Sequence, residues 1–183
     1  IDLQAALESK VLDRVEVEAC DIAPGEYADV RMNHVRMVGT KLVGVSISDL
    51  VAERWQARGA VLRATRLERC RLNHCHFSSS LGHELHWSGA RLSACQFVET
   101  PLTNANLSRS MLSNCSFDMA DLNHANMTEA MLVNCRFTDI RQGGAVLDNA
   151  NFAGAVLCHV HLTGANLFRA NFDGAVLVGV DMR

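Results

Sequence analysis

The chain has 183 residues, a formal net charge of −3 and a hydrophobic content of 49%. This length suits one domain with a substantial core, and the charge gives no global basic surface for nucleic acid. The sequence shows no signal peptide and no apolar run of membrane-spanning length. Because the first residue is Ile1, we expect a processed chain or a piece of a longer protein.

Residues 1–11 are expected to form an N-terminal cap or flank. Asp2 is a suitable helix cap, and the residues that follow it show a three-four spacing of apolar positions. The segment therefore predicts a short helix ahead of the main pattern.

A strict period of five dominates the rest of the chain. From Leu12 to Met182 every fifth residue is apolar, with Gly82 and Gln142 as the exceptions among 35 positions, and no insertion breaks this frame. Neither a helix (period 3.6) nor a strand (period 2) produces this spacing. We call these fifth residues the centres.

A second, weaker pattern places a small residue two positions before each centre. At some of these positions a large residue stands next to a weak centre, which predicts distorted turns near residues 50–60, 80–87 and 140–143. The large residues are Leu50, Trp55, Leu85 and Ile140.

A Cys-x-Phe tripeptide recurs at intervals of twenty residues. This spacing equals four five-residue units, so the tripeptides occupy equivalent places in the pattern. The tripeptides are Cys75-His76-Phe77, Cys95-Gln96-Phe97, Cys115-Ser116-Phe117 and Cys135-Arg136-Phe137.

The five-residue units resemble the A-(D/N)-(L/F)-x-x units of pentapeptide-repeat proteins. Examples are Ala105-Asn106-Leu107, Ala120-Asp121-Leu122, Ala125-Asn126-Met127, Ala150-Asn151-Phe152, Ala165-Asn166-Leu167 and Ala170-Asn171-Phe172. The resemblance implies an all-β fold, a right-handed quadrilateral β-helix (a pentapeptide-repeat solenoid) of about nine coils. Degenerate repeats are expected over residues 12–60 and regular repeats over 61–183, in one continuous domain.

The sequence predicts no catalytic, cofactor or metal site. The recurring cysteines lie two residues before a centre, a position that alanine fills elsewhere and that we call the slot. We therefore interpret them as buried spacers, and Cys158 is expected to be the most accessible thiol. His74-Cys75-His76 and His159-Val160-His161 each bring two imidazoles near one corner. The eight histidines were assigned different places in the coil, so surface histidines are favoured over the alternative of a metal site. We expect the protein not to be an enzyme.

Charged residues gather at two opposed corners of the predicted coil. Arg31, Arg69, Arg71, Arg91, Arg109 and Arg169 are assigned to one corner, and Glu18, Asp21, Glu99, Asp118, Asp121, Asp139 and Asp181 to the other. One interpretation is a mixed surface that keeps the protein soluble. The sharper hypothesis is a protein-docking edge of Arg69, Arg71, Arg91 and Arg109, opposed by an acidic edge of Glu99, Asp118, Asp121 and Asp139.

These features favour a non-catalytic protein–protein interaction scaffold with an unidentified protein partner and no direct nucleic-acid binding. The family resemblance implies a module of a larger bacterial protein, secretion-associated or an effector, in a reducing cytoplasm or secreted. The alternative is a DNA mimic that binds DNA gyrase or topoisomerase, as some family members do; residues 61–183 depart from that pattern because their charge is neutral. End-to-end stacking into a homodimer is a further expectation, since the repeats run in frame to Met182.

Overall fold

A computed structural model describes residues 3–138, 147, 149–162 and 164–182. Within these residues one helix, α1 (Leu3–Glu8), precedes nineteen strands of three residues each, and this confirms the short N-terminal helix. The strands are β1 (Val11–Asp13), β2 (Glu16–Glu18), β3 (Glu26–Ala28), β4 (Arg31–Asn33), β5 (Arg36–Val38), β6 (Ser46–Ser48), β7 (Val51–Glu53), β8 (Gln56–Arg58), β9 (Arg66–Glu68), β10 (Arg71–Asn73), β11 (His76–Ser78), β12 (Arg91–Ser93), β13 (Gln96–Val98), β14 (Met111–Ser113), β15 (Ser116–Asp118), β16 (Met131–Val133), β17 (Arg136–Thr138), β18 (Val156–Cys158) and β19 (Val176–Val178).

These strands form the faces of a right-handed β-helix, as predicted. The nine-stranded face contains β1, β4, β7, β10, β12, β14, β16, β18 and β19, and the seven-stranded face contains β2, β5, β8, β11, β13, β15 and β17. The three-stranded face, β3, β6 and β9, continues through isolated bridges such as His86 to Asn106. The fourth face consists of bridges along Asp21, Lys41, Val61 and Leu81. All of these pairings are parallel, so each coil lies in register on the one before it.

The corners between faces require left-handed backbone. In the described chain, the residue two after each centre has a positive φ, except Pro24, whose ring fixes φ at a negative value. His74 is one example, with a φ of 52°. Its side chain consequently points away from the axis, and the corner positions become available for surface chemistry.

The Asp or Asn before many centres caps the following corner. The side-chain oxygen of Asn106 accepts the backbone N–H of Ser108 at 3.1 Å, and that of Asn126 accepts the N–H of Thr128 at 3.0 Å. Such local bonds favour a turn over a continuing strand. The Asp or Asn of the five-residue unit is therefore a turn-forming residue.

The core is a column of centres and small residues along the axis. On the seven-stranded face Phe77, Phe97, Phe117 and Phe137 stack with ring centroids 4.7–5.0 Å apart and ring planes within 9° of parallel. All four rings are buried. The prediction that the Cys-x-Phe ladder lies on one wall is confirmed.

The expected distortion near residues 50–60 is wrong, because β7 and β8 keep the twenty-residue register there. Trp55 is only 1% exposed and packs edge-on against Phe77, with centroids 5.1 Å apart. The small centres Ala52 and Ala57 leave room for the indole. The large residue thus lies at the usually small position and the small residues lie at the centres, so the total core volume is kept.

The same exchange explains why residues 80–87 also stay in register. A methyl group added at Gly82 would lie 2.7 Å from Leu102 Cδ2 and 3.2 Å from Leu85 Cδ1. Leu85 and Leu102 therefore fill the space that a larger centre would occupy. The third expected distortion, at residues 140–143, lies outside the described residues.

Among the described residues the twenty-residue register changes once. Met131 pairs with Val156, an offset of 25, and Arg136 is bridged to His161 with the same offset. One coil thus holds an additional five-residue unit, which the uninterrupted five-residue frame conceals. Every later residue moves to a neighbouring face relative to its sequence-based assignment.

Candidate docking surface

The nine-stranded face presents one outward stripe that contains no carboxylate. The first residue of each strand lies directly above its equivalent, so the side chains form a continuous row. We call this row the arginine–apolar stripe: Val11, Arg31, Val51, Arg71, Arg91, Met111, Met131, Val156 and Val176.

Arg71 and Arg91 are adjacent at the middle of this stripe. They are direct partners between β10 and β12, and both are exposed. Within the described residues neither guanidinium makes an ion pair. The strand spacing holds their backbones about 4.8 Å apart. The two like charges therefore lie on neighbouring strands and repel each other, so a carboxylate brought between them would be favourably placed.

Apolar side chains flank the two arginines on both sides. Val51 is 41% exposed before them, and Met111 and Met131 are 44% and 41% exposed after them. Arginine and methionine are enriched at protein interfaces, whereas lysine and glutamate are depleted. The stripe thus combines cationic and apolar contact groups on a flat, regularly spaced surface.

The other two residues of the predicted docking edge, Arg69 and Arg109, are engaged within the chain. Arg69 donates two hydrogen bonds to Asp49, at 2.9 and 2.7 Å, and Arg109 donates one to Glu129 at 2.9 Å. The hydrogen bonds from Arg69 hold the pKa of Asp49 below its usual value, and Asp49 raises the pKa of Arg69. These pairs lie one corner away from the stripe and offer less free charge to a partner.

Two assignments change because of the 25-residue offset. Asn126, Asn151 and Asn171 are bridged in a row, which places Arg169 above Asn149 and His124 rather than with the other arginines. Its guanidinium lies 4.8 Å from the centre of the Phe168 ring. Asp181 is bridged to His161 on the seven-stranded face and so leaves the acidic corner.

The acidic edge keeps three of its four predicted members in the described chain. Glu99 accepts a hydrogen bond from Ser79 at 3.1 Å, and Asp121 accepts one from Thr103 at 3.3 Å. Asp118 is the last residue of β15, while Asp139 lies outside the described residues. Lys41, Val61 and Leu81 occupy positions in the same region, so the acidic residues do not form a continuous stripe.

The cysteines of the ladder donate to the backbone inside the wall. Cys95 Sγ lies 3.3 Å from the carbonyl oxygen of Leu72, and Ser80 Oγ makes the equivalent contact with Ala57 at 3.1 Å. Burial raises the pKa of Cys70, also inward-facing, to about 12. Thiol and hydroxyl groups therefore serve the same structural purpose at this slot.

Contacts with the neighbouring thiols and burial raise the pKa of Cys95 and Cys135 above the usual value of a thiol. These two side chains, like that of Cys115 between them, are buried, so solvent does not reach them.

The histidines do stack, contrary to the sequence-based assignment. His34 and His74 occupy the same corner two coils apart, and the 25-residue offset brings His159 to that row as well. His76 and His161 share the adjacent position on the seven-stranded face. The sequence carries a signal for this row at His34 and His74, since both follow a centre by two residues and their centres lie on the same face. In the described part of the chain no group of three or more metal-ligating side chains converges.

No helix in the described ranges has the length and apolar character needed to cross a membrane.

Comparison with known proteins supports the repeat assignment. A family profile described as pentapeptide repeats matches eight copies over residues 100–139 and 145–183. The chain matches no sequence among curated proteins.

Several solved structures resemble this chain. HetL, a pentapeptide repeat protein involved in heterocyst differentiation regulation in the cyanobacterium Nostoc, is 19% identical, with 94% of this chain and 85% of HetL covered and a TM-score of 0.60. QnrB1, a plasmid-mediated fluoroquinolone resistance protein, is 17% identical over 91% of this chain and 81% of its own, with a TM-score of 0.40. Rfr23 from the cyanobacterium Cyanothece is 17% identical over 100% and 97%, with a TM-score of 0.26. Residues 100–139 and 145–183 thus consist of pentapeptide repeats, and the likeness to HetL shows that the chain has the fold of a pentapeptide-repeat protein.

Proposed function

We propose that the chain is a non-catalytic protein-binding scaffold, a module of a larger bacterial protein, whose docking residues centre on Arg71 and Arg91. The observation that carries the proposal is the adjacency of these two arginines, without an ion pair in the described chain, on a rigid parallel sheet. Arg69 and Arg109, already paired with Asp49 and Glu129, have a secondary part.

The chemistry of the stripe defines the partner. Two neighbouring guanidinium groups favour carboxylates, because each can form bidentate hydrogen bonds with one. Val51, Met111 and Met131 extend the surface with apolar area on either side. The partner is therefore a protein segment that presents acidic side chains next to apolar ones, with the charges steering the encounter and the apolar groups adding buried area.

The test is capture from a native bacterial lysate followed by measurement of affinity for the captured protein. The Arg71→Glu/Arg91→Glu variant should bind at least about tenfold more weakly, since one lost favourable contact of 1.4 kcal/mol already has this effect. A Met111→Ser/Met131→Ser variant should bind the same partner more weakly, while the salt dependence of the affinity stays unchanged.

The matched control is Arg14→Glu/Arg58→Glu, which alters net charge by the same amount away from the stripe. Its affinity for the captured protein should stay close to that of the unmodified chain. Thermal unfolding of all variants should be nearly unchanged, because exposed substitutions shift stability by about 0.5 kcal/mol or less. If both reversals weaken binding equally, the effect is one of net charge and the docking proposal fails.

The DNA-mimic alternative requires a regular array of acids. The acidic edge carries basic and apolar residues at equivalent positions, including Lys41, Arg58 and Val61, and this argues against it. A supercoiling assay with DNA gyrase decides the matter: inhibition or protection would favour the alternative over the scaffold. End-to-end stacking of two copies stays a prediction that sedimentation velocity would check.

A further inference from the structure

His74 and His76 flank the inward-facing Cys75 at the corner between the nine-stranded and seven-stranded faces. Cys75 is buried, whereas His74 is exposed and His76 half-buried, so both imidazoles lie on the outside of the same corner. Both also line one shallow groove. We propose that these two side chains form a binding site for a divalent late transition metal, a site independent of the docking stripe.

The contact of His74 with a carboxylate determines which of its nitrogens is free. His74 Nδ1 lies 3.2 Å from Glu53 Oε1. A carboxylate only accepts hydrogen bonds, so the proton of the neutral ring resides on Nδ1 and the lone pair on Nε2. No described residue forms a hydrogen bond with that Nε2.

His76 repeats this arrangement with an amide. Its Nδ1 lies 2.9 Å from Gln96 Oε1 on the next coil, an oxygen that accepts the ring N–H. The Nε2 lone pair again has no hydrogen-bond partner in the described chain. A ligand imidazole usually donates its second N–H to a carboxylate or carbonyl, which orients the ring and raises its basicity. His74 and His76 both satisfy this requirement before any metal arrives.

The spacing lets both rings reach one ion. His74 is the left-handed corner residue and His76 is the first residue of β11, so the two side chains leave the outside of one corner with only the inward-facing Cys75 between them. Imidazole nitrogen suits Zn²⁺, Ni²⁺ and Cu²⁺, with Cu²⁺ bound most tightly by the usual order of affinities. Among the described residues no group of three or more metal-ligating side chains lies together, so in the proposed site water would complete the coordination sphere around the two imidazoles.

His34, on the same corner two coils earlier, is excluded by its own contacts. Its Nε2 lies 2.8 Å from Arg54 Nη1, which can only donate, and its Nδ1 lies 2.9 Å from Asn33 Oδ1. Both ring nitrogens are therefore occupied. The charge of Arg54, which would repel a cation, is opposed by Glu53, 3.9 Å from Arg54 Nε.

His159 and His161 supply a matched comparison within the chain. They have the same spacing around an inward residue and lie in the same two rows. The described residues give neither imidazole a hydrogen bond, so these rings are not oriented in advance. A site that depends on orientation should favour His74 and His76 over this second pair.

The test is calorimetric titration of the tag-free chain with Ni²⁺ at pH 7.5 under reducing conditions. We expect the tightest site to have a stoichiometry of one and to be lost, or weakened at least tenfold, in His74→Ala/His76→Ala. His159→Ala/His161→Ala should leave it unchanged. Glu53→Gln, which keeps the shape of the side chain but removes its charge, should weaken it about tenfold.

Three results would overturn the proposal. The first is a tightest site that persists in His74→Ala/His76→Ala. The second is equal loss in the His159→Ala/His161→Ala variant, which would indicate adventitious binding to any exposed histidine pair. The third is loss in Cys158→Ser, which would assign the metal to the partly exposed thiol instead. Circular dichroism of each variant separates these outcomes from unfolding.

Discussion

Two regions of the core reach the same coil by different means. In the phenylalanine ladder from Phe77 to Phe137 each centre is large and each slot residue is a small cysteine. One coil earlier the centres Ala52 and Ala57 are small and the slot holds Trp55. Both regions keep the same register and the same burial, which shows that the coil requires a total inward volume rather than a fixed residue at each position.

The two regions of the core differ in whether their buried polar groups have hydrogen-bond partners. In the ladder the thiols find backbone carbonyls, as Cys95 does with Leu72. The indole nitrogen of Trp55 is buried and has no hydrogen-bond partner among the described residues. An unpartnered buried donor costs about 1–3 kcal/mol, so the tryptophan solution fills space at some expense in hydrogen bonding.

The largest effect is expected from a cavity in the regular ladder. Phe117→Ala removes a ring that stacks on both Phe97 and Phe137, and it should lower the free energy of unfolding by about 3–5 kcal/mol. Chemical denaturation measures the change. A loss below 1 kcal/mol would mean that neighbouring coils collapse into the space and that the ladder is not closely packed.

A double-mutant cycle tests the volume exchange directly. Ala57→Phe would extend the phenylalanine ladder by one coil, but Trp55 blocks it, so the single change should destabilise by about 1–3 kcal/mol through overpacking. In a Trp55→Ala background the same change should be stabilising, because it refills the vacated volume. Additive free energies from denaturation would show that the two positions do not share space.

The smallest effect is expected at the cysteine slot. Cys95→Ser should change stability by about 1 kcal/mol or less, because Ser80 and Thr100 make the equivalent carbonyl contacts at 3.1 and 3.2 Å. Cys95→Leu serves as the control, since its longer side chain overfills the slot beside the large centre Phe97 and should destabilise more. Thermal unfolding compares the two variants. Equal stability losses would mean that the slot does not discriminate by size.

The surface was less predictable from the sequence than the core. Arg69, Arg71, Arg91 and Arg109 were assigned to one edge, and all four lie around one corner. Two of these guanidinium groups are engaged by a carboxylate on a neighbouring coil, Arg69 by Asp49 and Arg109 by Glu129, and each pair is separated by twenty residues in the sequence. The apolar part of the stripe, Met111 and Met131, was not singled out because exposed methionines have no repeat signature of their own.

The sequence by itself determined the period, the inward residues and the N-terminal helix, and its resemblance to pentapeptide-repeat proteins implied the right-handed four-sided coil. It could do so because each unit is specified locally, by an apolar centre, a small slot residue and a turn-forming Asp or Asn. Only the tertiary structure decided the stacking of one coil on the next. The 25-residue offset between Met131 and Val156 preserves the local period while changing every later neighbour, so it moved Arg169, Asp181 and the second histidine pair. Surface chemistry here arises between coils, and pairings between coils are invisible to a five-residue pattern.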